Sequence, residues 1–209
     1  MDNMQTEKKD TYKTIDKSYF GEIYKEKGSK FIGYAYPVKN EEEISQFISK
    51  LRAEHHKARH WCYAWRLGME NFRFRANDDG EPSNSAGQPI YGQILSKDVT
   101  NILIIVVRYY GGTKLGVGGL ITAYKTAASS ALEASVIIEK TINIEFEINF
   151  EYKDLNKVLR IVKDNKAEII QQKMEYDCDF LLSVRKKDYE KVHVALENLR
   201  CVNFKKEEE

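Results

Sequence analysis

The longest unbroken apolar run in the chain, Ile102 to Val107, is short and rich in β-branched residues, and it predicts a strand buried on both faces. Leu120, Ala123, Tyr124, Ala127 and Ala131 then recur at helical spacing and predict an alanine-rich helix. Further upstream, Tyr19 to Tyr24 and Phe31 to Tyr36 flank Lys27-Gly28-Ser29 like the arms of a hairpin, which Pro37 closes. Asn40 with Glu43 three residues on is a capping-box variant. Ile44, Phe47, Ile48 and Leu51 follow it on one helical face, and that helix should end near His56. Trp61, Tyr63, Trp65 and Leu67 alternate with Cys62, Ala64 and Arg66, the period of a strand. Asn71 to Ala76 reads as the return strand, turning at Gly68-Met-Glu-Asn, with Phe72 and Phe74 on one face and Arg73 and Arg75 on the other. Pro89 suits the first turn of a short helix through Ile90, Ile94 and Leu95.

The pattern changes after Ala134. Ile142, Ile144, Phe146, Ile148 and Phe150 alternate, as do Tyr176, Cys178, Phe180, Leu182 and Val184. Leu155, Val158, Leu159 and Val162 mark one helix, and Val192, Leu196 and Leu199 another. With strands at Ala167 to Ile170 and Cys201 to Phe204, the order is β-α-β-β-α-β, a ferredoxin-like arrangement. Met1 to Asp10 is a polar lead expected to fray, and Lys205-Lys-Glu-Glu-Glu is expected to be a solvated end.

Composition narrows the partners. The 209 residues can hold two domains, and 33 basic against 32 acidic side chains leave a net charge of +1. Any nucleic-acid surface must therefore be a local patch rather than a global field. No apolar run approaches the ~20 residues that span a bilayer, and the N-terminus lacks a signal-peptide core. Cys62, Cys178 and Cys201 form no CxxC and read as thiols of a reducing compartment. The expectation is a soluble, cytoplasmic protein without a membrane partner.

Candidate chemistry concentrates between the buried strand and the alanine-rich helix. Arg108-Tyr109-Tyr110-Gly111-Gly112-Thr113-Lys114-Leu115-Gly116-Val117-Gly118-Gly119 carries five glycines in its last nine positions. Glycines let a backbone turn tightly and approach a partner, and a helix start offers unpaired amides and a positive dipole end. With Arg108 and Lys114 at its flanks, this is a place for an anion. It is not a Walker A loop, since Val117 and Gly118 stand where Lys and Ser or Thr are needed. It is a poor dinucleotide fingerprint, since Ile121 replaces the third small residue. A tight strand-to-helix turn without a ligand is the plainer alternative.

Arg52 to Arg75 is the most basic stretch, with Arg59, Arg66, Arg73 and Arg75 among aromatics. It could track phosphates and stack bases on Trp65, Tyr109 or Tyr110, or it could be a sheet with one solvated face. Asp78, Asp79 and Glu81 lie in the polar loop Asn77 to Pro89, where they could hold a hard cation or simply serve a turn, and Ser83 or Ser85 could be a nucleophile. His56 and His60 are four apart, but the strand beginning at Trp61 takes His60 off the helix and no third zinc ligand is evident. A Ser85-His60-Asp79 trio lacks any supporting motif.

KGSKFIGYAYPV (Lys27 to Val38), the block Ala58 to Gly68, DDGEPSNSAGQPIYGQIL (Asp78 to Leu95) and NILIIVVRYYGGTKLGVGGLITAY (Asn101 to Tyr124) together resemble the IMPACT/YigZ family, also called UPF0029. The likeness covers roughly Tyr19 to Ala134, and Arg108 to Gly116 is its specific part. DDGEPS is followed here by Asn84-Ser85 where the family usually has Gly-Thr. The resemblance implies an α+β protein. Residues 1–137 would have the fold of ribosomal protein S5 domain 2, and residues 138–209 would be a ferredoxin-like domain. That pair looks like the last two domains of elongation factor G, which contact the ribosome and RNA. Eukaryotic members regulate translation initiation through an additional N-terminal domain for which this chain has no room. The leading expectation is a non-enzymatic RNA- or ribosome-binding modulator of translation, without a cofactor. The alternatives are a magnesium-dependent enzyme acting on a phosphorylated small molecule or nucleotide, and a protein-binding regulatory module.

Overall fold

A computed structural model describes residues 10–205. The expectations for the first nine residues and for the tail beyond Lys205 lie outside the described residues. Contacts divide the chain into two compact units, Tyr12–Lys140 and Thr141–Glu209 with Met1–Thr11. None of the described helices is long and apolar enough to cross a membrane.

In the first unit the elements run β1 (Thr11–Ile15), β2 (Tyr19–Phe20), β3 (Tyr24–Glu26), β4 (Ser29–Pro37), α1 (Glu41–Glu54), β5 (His60–Leu67), β6 (Arg73–Asn77), α2 (Gly87–Ser96), β7 (Ile102–Tyr109), α3 (Gly116–Glu133) and β8 (Ile137–Thr141). The main sheet has the order β2-β4-β7-β5-β6, with β3 also pairing β4, and β1 pairs β8 in a separate ribbon. The β4–β7, β5–β7 and β5–β6 pairings are all antiparallel.

The central position of β7 follows from its composition. Leu103, Ile105 and Val107 pack with Leu51, Trp65 and Tyr36 on one face, while Ile102, Ile104 and Val106 pack with Ile90, Ile94 and Ala127 on the other. Both faces are covered, so the run can be apolar throughout. The alanines of α3 have a steric reason too. A Cβ at Gly33 on β4 would lie 2.1 Å from the Ala127 carbonyl oxygen, so helix and strand meet almost backbone to backbone. Asn40 Oδ1 accepts from the Glu43 amide at 2.9 Å and Glu43 Oε2 accepts from the Lys39 amide at 2.8 Å, which sets the start of α1.

Two boundaries differ from the sequence reading. The first hairpin arm is broken into β2 and β3 at Gly21, where a Cβ would lie 2.6 Å from the Ala131 nitrogen. The ribbon of β1 and β8 has no counterpart in the hydrophobic pattern, because these strands mix polar and apolar residues without alternation.

The second unit contains β9 (Asn143–Glu151), α4 (Leu155–Asp164), β10 (Glu168–Met174), β11 (Asp177–Arg185), α5 (Tyr189–Glu197) and β12 (Val202–Phe204). Its sheet order, β10-β11-β9-β12, is antiparallel throughout and is the ferredoxin-like order. Ile148, Phe150, Phe180, Leu182 and Val184 form its inner face, against Val158 and Val162 of α4 and Val192 and Leu196 of α5. The α+β class expected from the sequence is the class observed.

Candidate anion-binding cleft

At the end of β7 the chain leaves the sheet through Tyr109 and Tyr110 and enters α3 through the glycine loop. Gly111 is fixed by packing: a Cβ there would sit 2.0 Å from the Gly28 carbonyl carbon, and its amide donates to Ser29 Oγ at 3.1 Å. That amide is therefore spent internally and does not join an anion site. Further along the loop the constraints vanish. A Cβ on Gly112, Gly116 or Gly118 would meet nothing within 4 Å, and only Gly112 and Gly116 have positive φ. At Gly118, inside a helix, neither packing nor dihedral calls for glycine, although glycine costs a helix interior about 1 kcal/mol relative to alanine. Leu115 at the N-cap gives α3 no side-chain cap, and its first turn holds no acidic residue. Neither its cap nor its first turn therefore supplies an anion to its orphan amides and positive dipole end.

This helix start opens on a cleft of about 670 Å³, walled by Arg59, His60, Glu81, Arg108, Tyr110 and Lys114. Lys114 and Arg59 are exposed, and among the described residues neither side chain has an ion-pair or hydrogen-bond partner. Tyr110 is 45% exposed.

Arg108 does not match the expectation of a free phosphate ligand. It is only 4% exposed, and Nη1 lies 2.5 Å from Glu81 Oε1 while Nη2 donates to Ser29 Oγ at 3.4 Å. Tyr124, whose hydroxyl is pushed above the ordinary phenol range by burial, donates to the same Glu81 oxygen at 2.7 Å. Arg108 thus neutralises a buried carboxylate beneath the cleft, and its own Nε is buried without a partner. His60 Nδ1 donates to the Asp79 carbonyl oxygen at 2.9 Å, leaving Nε2 3.8 Å from Glu81 Oε1.

The other two carboxylates of the polar loop are also spent. Asp78 Oδ1 accepts from the amides of Ala86 and Gly87 at 2.9 and 2.8 Å, and Oδ2 accepts from Asn84 at 2.9 Å, so it closes the start of α2 from a distance. Asp79 Oδ1 pairs with Arg52 at 2.5 Å and Oδ2 accepts from the Trp61 amide at 2.7 Å. Asp78, Asp79 and Glu81 therefore hold the loop's own backbone and three cationic or phenolic side chains, and no trio of metal-ligating side chains occurs among the described residues. Ser85 is buried, with Oγ donating to the Pro82 carbonyl at 2.6 Å, and Ser83 is exposed. His56 lies beyond the end of α1, so it shares no helical face with His60.

The model of the Impact N-terminal domain matches residues 27–132, a span that contains every residue walling the cleft. The chain belongs to the IMPACT family. It is 35% identical over 160 residues to the IMPACT family member YigZ of Escherichia coli, covering 76% of this chain and 78% of that one. An IMPACT family member of Haemophilus influenzae is 32% identical over 169 residues, covering 78% and 81%. A crystal structure of a hypothetical protein superposes with a TM-score of 0.71 at 28% identity, over 95% of this chain and 99% of that one.

In this IMPACT domain the basic-aromatic track expected along β5 and β6 is not continuous. Trp65 is 5% exposed and packs in the α1-side core, which leaves it no face for a base. Arg66 is buried, with Nη1 donating to the Val99 carbonyl at 3.3 Å and its guanidinium 3.6 Å from the Phe72 ring centroid. The sheet has helices on both faces, so a residue read as solvated lies in the interior. Tyr109 turns to the α1 side, where its hydroxyl lies 2.8 Å from His55 Nδ1, and it is not a stacking platform in the cleft. Arg73 and Arg75 are exposed on β6, but Arg73 pairs with Leu67, at the far end of β5 from His60. Seven residues of strand put Arg73 about 23 Å from His60, and five residues put Arg75, opposite Trp65, about 17 Å from it. The structure brings together Arg59, Tyr110, Lys114, Gly116 and the first turn of α3. Alternation and composition did not point to His60, Pro82 or Val117 as cleft walls.

Proposed function

We propose that this protein is a non-enzymatic factor of the translation apparatus that grips RNA phosphate at the start of α3. The observation that carries the reading is the uncapped start of α3, which opens on a cleft walled by Lys114 and Arg59, two cations with no ion-pair partner among the described residues. First-turn amides and the helix dipole bind a phosphate oxygen, Lys114 and Arg59 supply charge, and Tyr110 offers a π face at the rim. The association with translation and the ribosome comes from what the family resemblance implies, and it fits a cytoplasmic protein. The magnesium-dependent alternative loses its ligands, because the three loop carboxylates already serve the fold.

Filter binding of single-stranded RNA across a salt series tests this. Wild-type affinity should fall steeply with salt, and Lys114→Ala and Arg59→Ala should each reduce the slope of log K against log salt by about 0.7. No retention of RNA at low salt, or slopes unchanged in both variants, would refute it.

A further inference from the structure

We infer that the outer edge of β6 is a docking strand for an extended, acidic segment of a partner protein, a site separate from the cleft. β6 ends the sheet: it hydrogen-bonds β5 on one side, and among the described residues no strand pairs its other side. Residues 71–75 are all exposed, so none of the described helices or loops shields that part of the edge. Native proteins usually blunt such an edge, because its free N–H and C=O groups recruit another strand.

The side chains beside this edge are sorted by face. Phe74, 55% exposed, stacks on Tyr91 of α2 at 4.6 Å with the rings 13° apart, and Leu95, one turn along the same helix, is 48% exposed. These three make an apolar strip on the α2 side. Arg73 and Arg75 project to the other side, where Arg73 Nη1 lies 3.1 Å from Glu41 Oε1 of α1. Both members of that pair are more than half exposed, so it is weak and free to exchange. Arg75 has no ion-pair partner among the described residues.

Charge selects the occupant. A second copy pairing antiparallel about Phe74 would set Arg73 directly opposite Arg75, and like charges facing each other across a ladder destabilise it. A strand with acidic residues at alternate positions around an apolar one meets Arg73 and Arg75 with its acids and Phe74 with its apolar side chain. RNA would satisfy the arginines but not the alternating backbone donors and acceptors.

The test is fluorescence anisotropy of the full chain with a labelled nonapeptide of alternating Glu and Val. Binding should weaken at least tenfold when the peptide is N-methylated at alternate residues, a change that leaves the protein untouched. Phe74→Ser, a surface substitution, should also weaken it tenfold. The double variant Arg73→Glu, Arg75→Glu should switch preference to a Lys-Val peptide. The inference is overturned if the N-methylated or the Lys-Val peptide binds the unaltered protein as well as the Glu-Val peptide. It is equally overturned if RNA competes the peptide away, or if sedimentation shows a dimer that Phe74→Ser dissolves.

Discussion

Arg108 Nη1 and Glu81 Oε1 lie 2.5 Å apart, and each side chain is only 5% exposed. The pair links β7 to the polar loop under the cleft floor, with the Tyr124 hydroxyl on the same oxygen. Removing one partner strands a buried charge, so Glu81→Ala should cost about 3–5 kcal/mol in urea denaturation. Replacing both, as Glu81→Leu with Arg108→Met, should recover most of that loss. A double variant as unstable as Glu81→Ala alone would show that the ion pair itself, and not the uncompensated charge, carries the stability.

At Gly118 stability should move while binding stays where it is. Gly118→Ala places a methyl in open space on α3 and should stabilise the helix by about 0.5–1 kcal/mol. Gly118 is not among the residues that wall the cleft, which takes Gly116, Val117 and Leu120 from α3, so RNA affinity should stay within about twofold of the unaltered protein. Thermal melting and filter binding on one preparation check both halves.

Asp78 receives three backbone amides, and Asp78→Ala leaves them without acceptors at the start of α2. The expected loss is about 2 kcal/mol, read from urea midpoints. Asp78→Asn keeps one acceptor oxygen and should cost less. Millimolar magnesium should leave the melting temperature of the unaltered protein where it is, because these oxygens are occupied.

The second unit should be acid-sensitive through its paired aspartates. Lys157 beside Asp154 and Lys205 beside Asp179 each hold the carboxyl below its usual value of 3.8, chiefly by hydrogen bonding. A carboxylate whose folded value is lowered adds stability that is fully present above its unfolded value and is lost as pH falls through the folded one. Stability should therefore drop below about pH 4. Asp154→Asn and Asp179→Asn should each flatten that acid limb in pH-dependent urea unfolding, and an unchanged limb in both would rule out these pairs as its origin.

The elements legible in the sequence were those set by burial or by a local cap. Ile102 to Val107 could only be a strand between two layers, and Asn40 with Glu43 marked the start of α1. The partners of charged residues were not legible. Arg108 meets Glu81 across 27 residues, and Asp78 closes a helix that begins nine residues later. Such contacts are made by the folded chain, and no local period announces them. Arg66 was misread for a related reason: alternation reports that two faces differ, and a helix can cover either. β1 and β8 escaped notice because each pairs with the other across more than a hundred residues of sequence.

The near contact of Gly33 with Ala127 has a consequence for kinetics. With 2.1 Å between an imagined methyl and the carbonyl oxygen, only glycine at position 33 lets α3 seat this closely on β4. A helix seated that closely should keep the amides at its start in one orientation. On the reading proposed above, an incoming phosphate would then meet a preformed receptor and lose little ordering entropy on capture. The speed of encounter should then follow ionic strength and depend little on solvent viscosity beyond diffusion, because no rearrangement precedes the complex.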